Sequence, residues 1–551
     1  MKKAGKIALW VVGALVALVV ALFFCADIVA SKIVQREVRS AFDKIPGVDA
    51  SVGGIYLNLV SGSAIVKDIT FSTNSLMYID SLTDRRAPGI ALNIPTLKVL
   101  NVHYADLWYN HALEIHKVSI DEPDIVLYID EQHPESMLPV FPKDSTLAQA
   151  GTWLQYVSLR HLEVEDLQAR VQSTVSPLHV ALDSLTTEWW DLRYDFTDSV
   201  FSFNDSVYEM ALNSLRVQLP DGLFGMEIHD FETQDQGAIE LGYTRFYNTI
   251  TPKQLADLHR EPVSWIDLEL NSVKTSPMNP IRKAQAQDYT LESIQADARR
   301  IHVVRDTRYS PKHPFGTPQD FLMALPVRFA LKQVKASVHK MDLEVVTTDK
   351  NHGAFHIRNA KGELANVTNR PGATWTNIAK APFGEQGKVE AQYKIHMDKK
   401  ASFEVQIAGT DLDINEMNGF LRSLIGVTCE CHVNVLDAQY TGDRTSAKGE
   451  FCMQYHGLNV AIHKEEPIPY EILAKNADFF AGAANSLIPK SNPTAVDIAP
   501  RRYQVEWKRD EWKPYPLYLF GPCIDGVKKT MLPGLFVHKQ VQPNTKKKVE
   551  R

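Results

Sequence analysis

Apolar and polar residues alternate with period two along much of the chain. The clearest run is Val389-Glu390-Ala391-Gln392-Tyr393-Lys394-Ile395-His396-Met397, apolar at every odd position and polar at every even one. Phe403, Val405 and Ile407 alternate with Glu404 and Gln406, and Ile266, Leu268 and Leu270 with Asp267 and Glu269. Ile90, Leu92 and Ile94 flank Ala91 and Asn93 in the same way. Successive side chains of a strand point to opposite faces, so these runs predict half-buried strands. Turn signals separate them: Met397-Asp398-Lys399-Lys400, Gly442-Asp443-Arg444 and Pro220-Asp221-Gly222. Their close spacing predicts antiparallel meanders and not βαβ units. Helical patterns are few. Ser145–Tyr156, Leu412–Leu424 and Leu473–Leu487 are the candidates, with a turn at Gln254–His259.

The N-terminus has a different pattern. Ile7 to Cys25 is a run of 19 residues without a charge. As a helix it covers roughly 28 Å, about one hydrocarbon core. Lys2, Lys3 and Lys6 precede it, so the positive-inside rule keeps the N-terminus cytoplasmic and exports the rest. A cleaved signal peptide is the rival. Its apolar region is normally shorter, and Ile28-Val29-Ala30 makes a poor cleavage site. An uncleaved single-span anchor is therefore expected. Val34, Val38 and Phe42 recur every four residues beyond it, predicting a juxtamembrane helix that stops near Pro46-Gly47.

Composition narrows the class. The 551 residues are 44% hydrophobic and 23% charged, as in ordinary folded chains. A net charge of -7 argues against a nucleic-acid binder. Five cysteines exclude a disulfide scaffold. A sheet with one apolar face must cover that face. A sandwich, a closed barrel or a lipid partner would each do so, and periodicity does not choose among them.

Two stretches resemble the AsmA-like family of bacterial envelope proteins. The first holds Val60-Ser61-Gly62-Ser63-Ala64-Ile65-Val66-Lys67-Asp68-Ile69-Thr70-Phe71, then Ile94-Pro95-Thr96-Leu97-Lys98-Val99. It continues with Leu113-Glu114-Ile115-His116-Lys117-Val118-Ser119-Ile120-Asp121-Glu122-Pro123-Asp124-Ile125-Val126-Leu127. The second holds Leu412-Asp413-Ile414-Asn415-Glu416-Met417-Asn418, opening a short helix, and the strand Lys448–Val460 with its Gly449 start and Tyr455-x-x-Leu458-x-Val460 ending. The resemblance implies a mainly β fold: an N-terminal transmembrane helix, then an elongated antiparallel β-groove of bridge-type lipid-transfer character, with few short helices. The expected organisation is a cytoplasmic tip and anchor (1–27), a juxtamembrane helix (28–46), an N-terminal β region (47–270), a connector (271–319), a C-terminal β region (320–510) and an extension with a basic tail (511–551). The implied setting is the bacterial inner membrane, entered through Ile7–Cys25, with most of the chain in the periplasm.

Under this reading the partner is phospholipid, handled or transferred between membranes in support of outer-membrane biogenesis. Burial of acyl tails would drive binding at roughly 0.8 kcal/mol per CH₂. Val389, Ala391, Tyr393, Ile395, Met397, Phe403, Val405 and Ile407 are the candidates for lining the groove. Each fits an ordinary protein core equally well. A second reading is a non-enzymatic assembly factor for outer-membrane proteins, offering strand edges.

Sequence motifs for chemistry are sparse, and no catalytic residue, cofactor or metal ligand is assigned. No Gly-x-Ser-x-Gly elbow or His-Glu-x-x-His helix occurs, and Gly384-Glu385-Gln386-Gly387-Lys388 lacks phosphate-loop spacing. In Cys429-Glu430-Cys431-His432, the two thiols share a strand face and His432 points away. A turn over Gly442–Gly449 puts Tyr440 opposite Gly449 or Glu450, hence Cys452 opposite about Asp437 and far from Cys431. Small buried residues, a disulfide and a metal site remain alternatives for these thiols. His103, His111 and His116 show no ligand spacing. Glu163, Glu165 and Asp166 read as a solvated strand face, Trp189-Trp190 as a core or edge pair, and Lys546-Lys547-Lys548 as a solvated tail that could touch anionic headgroups.

Overall fold

The computed structural model describes residues 49–533, apart from internal segments of which the longest are 131–153, 278–287 and 464–485. The expected anchor Ile7–Cys25, the juxtamembrane helix, nearly all of the Leu473–Leu487 and Ser145–Tyr156 helices and the Lys546–Lys548 tail lie outside the described residues. Among the described residues no helix is long and apolar enough to cross a membrane. Strands dominate and helices are short, as the alternation predicts. The chain divides into two compact units. One holds residues up to Thr249 with Lys274–Ala286, and the other holds Ile250–Val273 with Gln287 onward. Residues 250–270, expected in the N-terminal region, and 287–319, expected to connect, thus pack with the second unit.

In the first unit, β1 (Asp49–Asn58) and β2 (Ser63–Ser72) form an antiparallel hairpin that sets Ile55 opposite Val66 and Val52 opposite Ile69. A small ribbon, β3 (Met77–Asp80) with β4 (Arg85–Ala87), follows. β5 (Gly89–Val102) is joined through α1 (Tyr104–Tyr109) to β6 (Ala112–Asp121), which is followed by β7 (Asp124–Ile129). β6 and β7 lie end to end along β5, broken at Glu122-Pro123 where proline can supply no ladder N–H. β8 (Tyr156–Ser173) pairs with both in parallel, which departs from the meanders expected. β9 (His179–Asp195), β10 (Val200–Ser202), β11 (Tyr208–Gln218), β12 (Phe224–Gln234), β13 (Ala238–Leu241) and β14 (Thr244–Asn248) then pair antiparallel. Val52, Val66, Leu97, Val99 and Leu113 form the driest part of this unit's core.

The second unit opens with α2 (Pro252–His259), where a turn was expected; its N-terminus is closed by a reciprocal Thr251–Gln254 capping box. β15 (Val263–Thr275), β16 (Asp288–Asp306) and β17 (Arg328–Thr348) follow. β16 and β17 are parallel, so the chain between them must cross over. That crossover carries α3 (Pro318–Ala324), capped by Thr317. The Arg444 guanidinium donates to Asp320 at 2.7 Å and fixes the crossover to a distant turn. From β17 on the strands form the predicted meander: β18 (Asn351–Thr368), β19 (Thr374–Phe383), β20 (Gly387–His396), β21 (Phe403–Asp413), β22 (Val427–Gly442) and β23 (Ser446–Ile462). β24 (Ser491–Asn492) and β25 (Arg502–Lys508) both pair with β23. α4 (Asn418–Ile425), preceded by a 3₁₀ turn at Ile414–Met417, answers the helix expected over Leu412–Leu424. α5 (Tyr515–Met531) lies in what was expected to be an extension.

Strict alternation does not survive along these long strands, and the way it breaks organises the fold. In β2 Ala64 and Val66 are buried, but the next buried residue is Ile69. Between them Asp68 takes φ 54, a left-handed conformation that Asp and Asn tolerate best. One such residue shifts the alternation by one and returns the apolar set to its original face. The same device recurs at Asn101, Asp166, Ser184, Asp191, Asp230, Asn359, Asn366 and Asp411. The neighbouring strand makes room with glycine. A Cβ on Gly53 would lie 2.9 Å from the Asp68 Cβ, and one on Gly387 would lie 2.7 Å from the Asp411 carbonyl oxygen. In β16–β18 the breaks line up across strands, because the ladders skip the rows 292–332–366 and 299–339–359.

Asp68→Val should therefore destabilise the protein by about 1–2 kcal/mol, the usual cost of a left-handed conformation for a residue with a Cβ, whereas Asp68→Asn should be close to neutral. Urea denaturation midpoints of the two variants check this.

Candidate functional site

Ladder register shows which residues of the second unit share a face. Ala296, Ala336, Gly362, Ala379, Ala391, Ile407, Ala438, Phe451 and Tyr503 stand opposite one another in sequence across β16–β23 and β25. One residue along each strand, the row reads Gln295, Lys335, Glu363, Ile378, Gln392, Gln406, Gln439, Glu450 and Gln504. The first row is apolar throughout and the second almost wholly polar. These are the two faces of one sheet, water on one side and an apolar surface on the other.

α5 closes one part of the apolar face. It packs Tyr515, Tyr518, Leu519, Cys523 and Val527 against β20–β25. Tyr440 donates its hydroxyl to the Leu519 carbonyl at 2.8 Å, and Tyr518 donates to the Asp443 carbonyl at 2.7 Å. Phe403 meets the edges of Tyr515 and Tyr518 at centroid distances of 6.5 and 5.6 Å. Two glycines set how closely the helix sits. A Cβ on Gly521 would come within 2.3 Å of the Trp507 ring, and one on Gly526 within 2.1 Å of Phe451. Pro514, Pro516 and Pro522 also lie in or beside this helix.

All eight groove candidates fall on the apolar side of their strands, but at its closed end. Ile395, Met397, Phe403, Val405 and Ile407 are buried. Val389, Ala391 and Tyr393 are half-buried at the edge of the same cluster. Burial pushes the Tyr393 hydroxyl up to about 12. Alternation identifies the face here; it carries no information on what covers it.

The face continues, less covered, over β16–β19. The phase resets keep Leu291, Ile294, Ala296, Ala298, Ile301 and Val303 together on β16, with Leu331, Val334, Ala336, Val338, Met341 and Leu343 beside them on β17. β18 adds Phe355, Ile357, Ala360, Gly362, Leu364 and Val367. Nearly all are half-buried where the residues under α5 are dry. The row Ala296–Ala336–Gly362–Ala379 forms a low floor between the larger Ile294, Val334 and Leu364 on one side and Val338 on the other. Among the described residues a Cβ added to Gly362 meets nothing within 4 Å, so the space above this point of the floor is open to them. α4 closes its far end, where Phe420 meets Phe355 at 6.4 Å. Sequence reasoning missed this stretch because Arg299-Arg300 and Arg358-Asn359 interrupt the alternation.

The polar side carries its own cluster. Asp342, 2% exposed, accepts from Arg300 Nε at 3.1 Å and contacts Lys340 Nζ at 3.0 Å and His356 Nδ1 at 2.6 Å. Burial raises its pKa, but these three partners outweigh burial and hold it at about 2. His302 pairs with Glu344 at 2.8 Å beside it.

Elsewhere, Tyr440 lies opposite Gly449 and Cys452 opposite Asp437, the register the turn predicted. Cys429, Cys431, Cys452 and Cys523 are free thiols, and burial raises Cys431 to about 12. His103, without ligand spacing to the other histidines, lies with Asp106 and Glu114, one donor atom of each within 4.8 Å of the others. Glu114 already accepts from the Tyr156 hydroxyl at 2.9 Å and Asp106 from the Asn110 amide at 2.8 Å. Trp189 stacks on Tyr208 in the first unit's core region, and Trp190 stacks on His161.

No family model matches the chain, and no curated protein matches it. The site is accordingly defined by its own geometry: an apolar sheet face, closed by a helix at one end and open above Gly362.

Gly526→Ala should destabilise the second unit by about 1–3 kcal/mol, the overpacking range, while Gly362→Ala should leave stability nearly unchanged. Thermal unfolding of both distinguishes closed from open. The low pKa of Asp342 predicts a pH effect. A depressed carboxylate stabilises the fold above its unfolded pKa and loses that contribution as pH falls through the folded value. Stability should therefore drop between about pH 4 and pH 2 by about 2 kcal/mol from this group, and Asp342→Asn should flatten that limb of the curve.

Proposed function

We propose that this chain is a membrane-anchored, lipid-handling protein of the AsmA-like type, whose open β face holds phospholipid acyl chains. The observation that carries the reading is the half-buried apolar floor over β16–β19, with free space above Gly362. Stable folds rarely leave a contiguous apolar surface uncovered without a partner for it. Acyl chains suit such a floor because they are flexible, apolar and without hydrogen-bonding groups. Each CH₂ buried contributes roughly 0.8 kcal/mol, so a tail lying along several strands is held without any polar contact.

The mechanism is passive. Lipid tails would lie on the alanine–glycine floor between the Ile294–Val334–Leu364 and Val338 walls, with headgroups in water at the open side. The eight residues from Val389 to Ile407 support the floor from the closed end. In this reading the Ile7–Cys25 segment holds the chain in the bacterial inner membrane, the bulk of it is periplasmic, and lipid passing along the face serves the outer membrane.

Gly362→Trp tests the reading. The indole enters free space, so the thermal unfolding temperature of the protein should hold within a few degrees. Lipid co-purifying with the detergent-extracted full chain, measured by mass spectrometry, should fall severalfold. Gln392→Trp, on the polar face, should change neither quantity. Undiminished lipid in a folded Gly362→Trp protein would sink the proposal.

A further inference from the structure

The chain between β24 and β25 makes a tight loop, residues 493–500, with its side chains sorted by polarity. Val496 is 88% exposed and Ile498 94% exposed, and Ala495 beside them is exposed too. Asp497, the loop's single ionisable residue, turns inward. Its Oδ2 accepts from the Thr494 backbone N–H at 2.9 Å and from the Thr494 hydroxyl at 2.7 Å. The Arg501 guanidinium lies 3.5 Å away. Arg501 is itself buried, and its backbone N–H and Nε donate to Asn492 Oδ1 at 2.9 and 3.2 Å. Asn492, 0% exposed, donates through Nδ2 to the Met453 carbonyl of β23 at 2.6 Å. Buried polar groups thus staple the base of the loop to the sheet, and its tip offers water only aliphatic side chains.

We propose that this loop inserts Val496 and Ile498 into the boundary between headgroups and acyl chains of a lipid bilayer. Three features favour a bilayer over a protein pocket. The tip has none of the Trp, Tyr or Arg anchors that dominate protein interfaces. Its carboxylate is already paired inside the loop, so no unpaired charge follows the tip into a low-dielectric medium. Lys490, exposed just before β24, adds a cation, separated from the loop only by the two residues of β24, that anionic headgroups would attract. The stapled base also means that little ordering is needed on contact. This surface is separate from the apolar floor above Gly362 and does not depend on it.

The test uses the full chain reconstituted into phosphatidylcholine vesicles. Ile498→Cys carries an environment-sensitive fluorophore, with the equally labelled parent protein subtracted for its native thiols. The label should emit blue-shifted light and lose most of its intensity when brominated phosphatidylcholine replaces the ordinary lipid, either in the host vesicles or in added ones. A label at Lys448→Cys, on the polar face, should ignore bromine and be quenched by aqueous iodide. A label at 498 that iodide quenches and bromine does not would overturn the proposal. A blue shift without bromine quenching would overturn it as well, by assigning the tip to a protein pocket. In the double variant Val496→Asp with Ile498→Asp, a label placed at Ala495→Cys should lose its bromine sensitivity. Co-purified lipid should stay at the parent level in that variant, which separates this proposal from the reading of the open face.

Discussion

An apolar face must remain on one side of a strand for the strand's whole length, and here strands reach 21 residues. Twist accumulates over that distance. The chain meets this constraint with single left-handed residues, nearly all Asp or Asn, that reset the alternation. Because each reset has to be matched by its neighbours, the breaks run as lines across several strands. Without them the second half of β17 would turn Met341, Leu343 and Val345 to water and bury Lys340 and Glu344. The single apolar face of the second unit, both its closed part and its open part, exists because these lines are in register.

The cover over that face is also set by backbone proximity. α5 approaches β23 and β25 at glycine because no other residue leaves room for Phe451 and Trp507 beneath it. Helix propensity is given up for fit, since glycine and proline both disfavour helix interiors. The helix persists because tertiary packing supplies more than local propensity removes. On β16–β19 no comparable helix is laid down among the described residues, and small side chains leave a hollow instead of a seat.

Much of the fold was legible in the sequence, and the gaps have physical causes. β20 and β21 follow from clean alternation between Val389 and Ile407. The turn at Gly442-Asp443-Arg444 fixed the register of β22 and β23, including Tyr440 opposite Gly449. The apolar identity of the groove candidates could be read, but not that α5 packs into the cluster holding Phe403, Val405 and Ile407, because cover is a property of a distant segment. The open floor escaped notice because Asn359 and Asn366 shift the period within β18, so that a search for strict alternation sees fragments. α5 escaped because Pro516, Gly521, Pro522 and Gly526 read as breakers. Parallel pairing of β16 with β17 was hidden in a crossover whose only strong signal is the Thr317-Pro318 start of α3.

The position of α5 in the chain has a consequence for how the protein is made. Every strand that it covers precedes it, so the apolar face of β20–β25 is complete before its lid has been synthesised. During that interval the nascent chain displays Phe403, Val405, Phe451 and Tyr455 to whatever surrounds it. A chaperone able to shield extended apolar strands would be most needed in that window, and premature termination anywhere after Lys508 would leave a fully paired sheet with an adhesive face, a product suited to aggregation or rapid proteolysis.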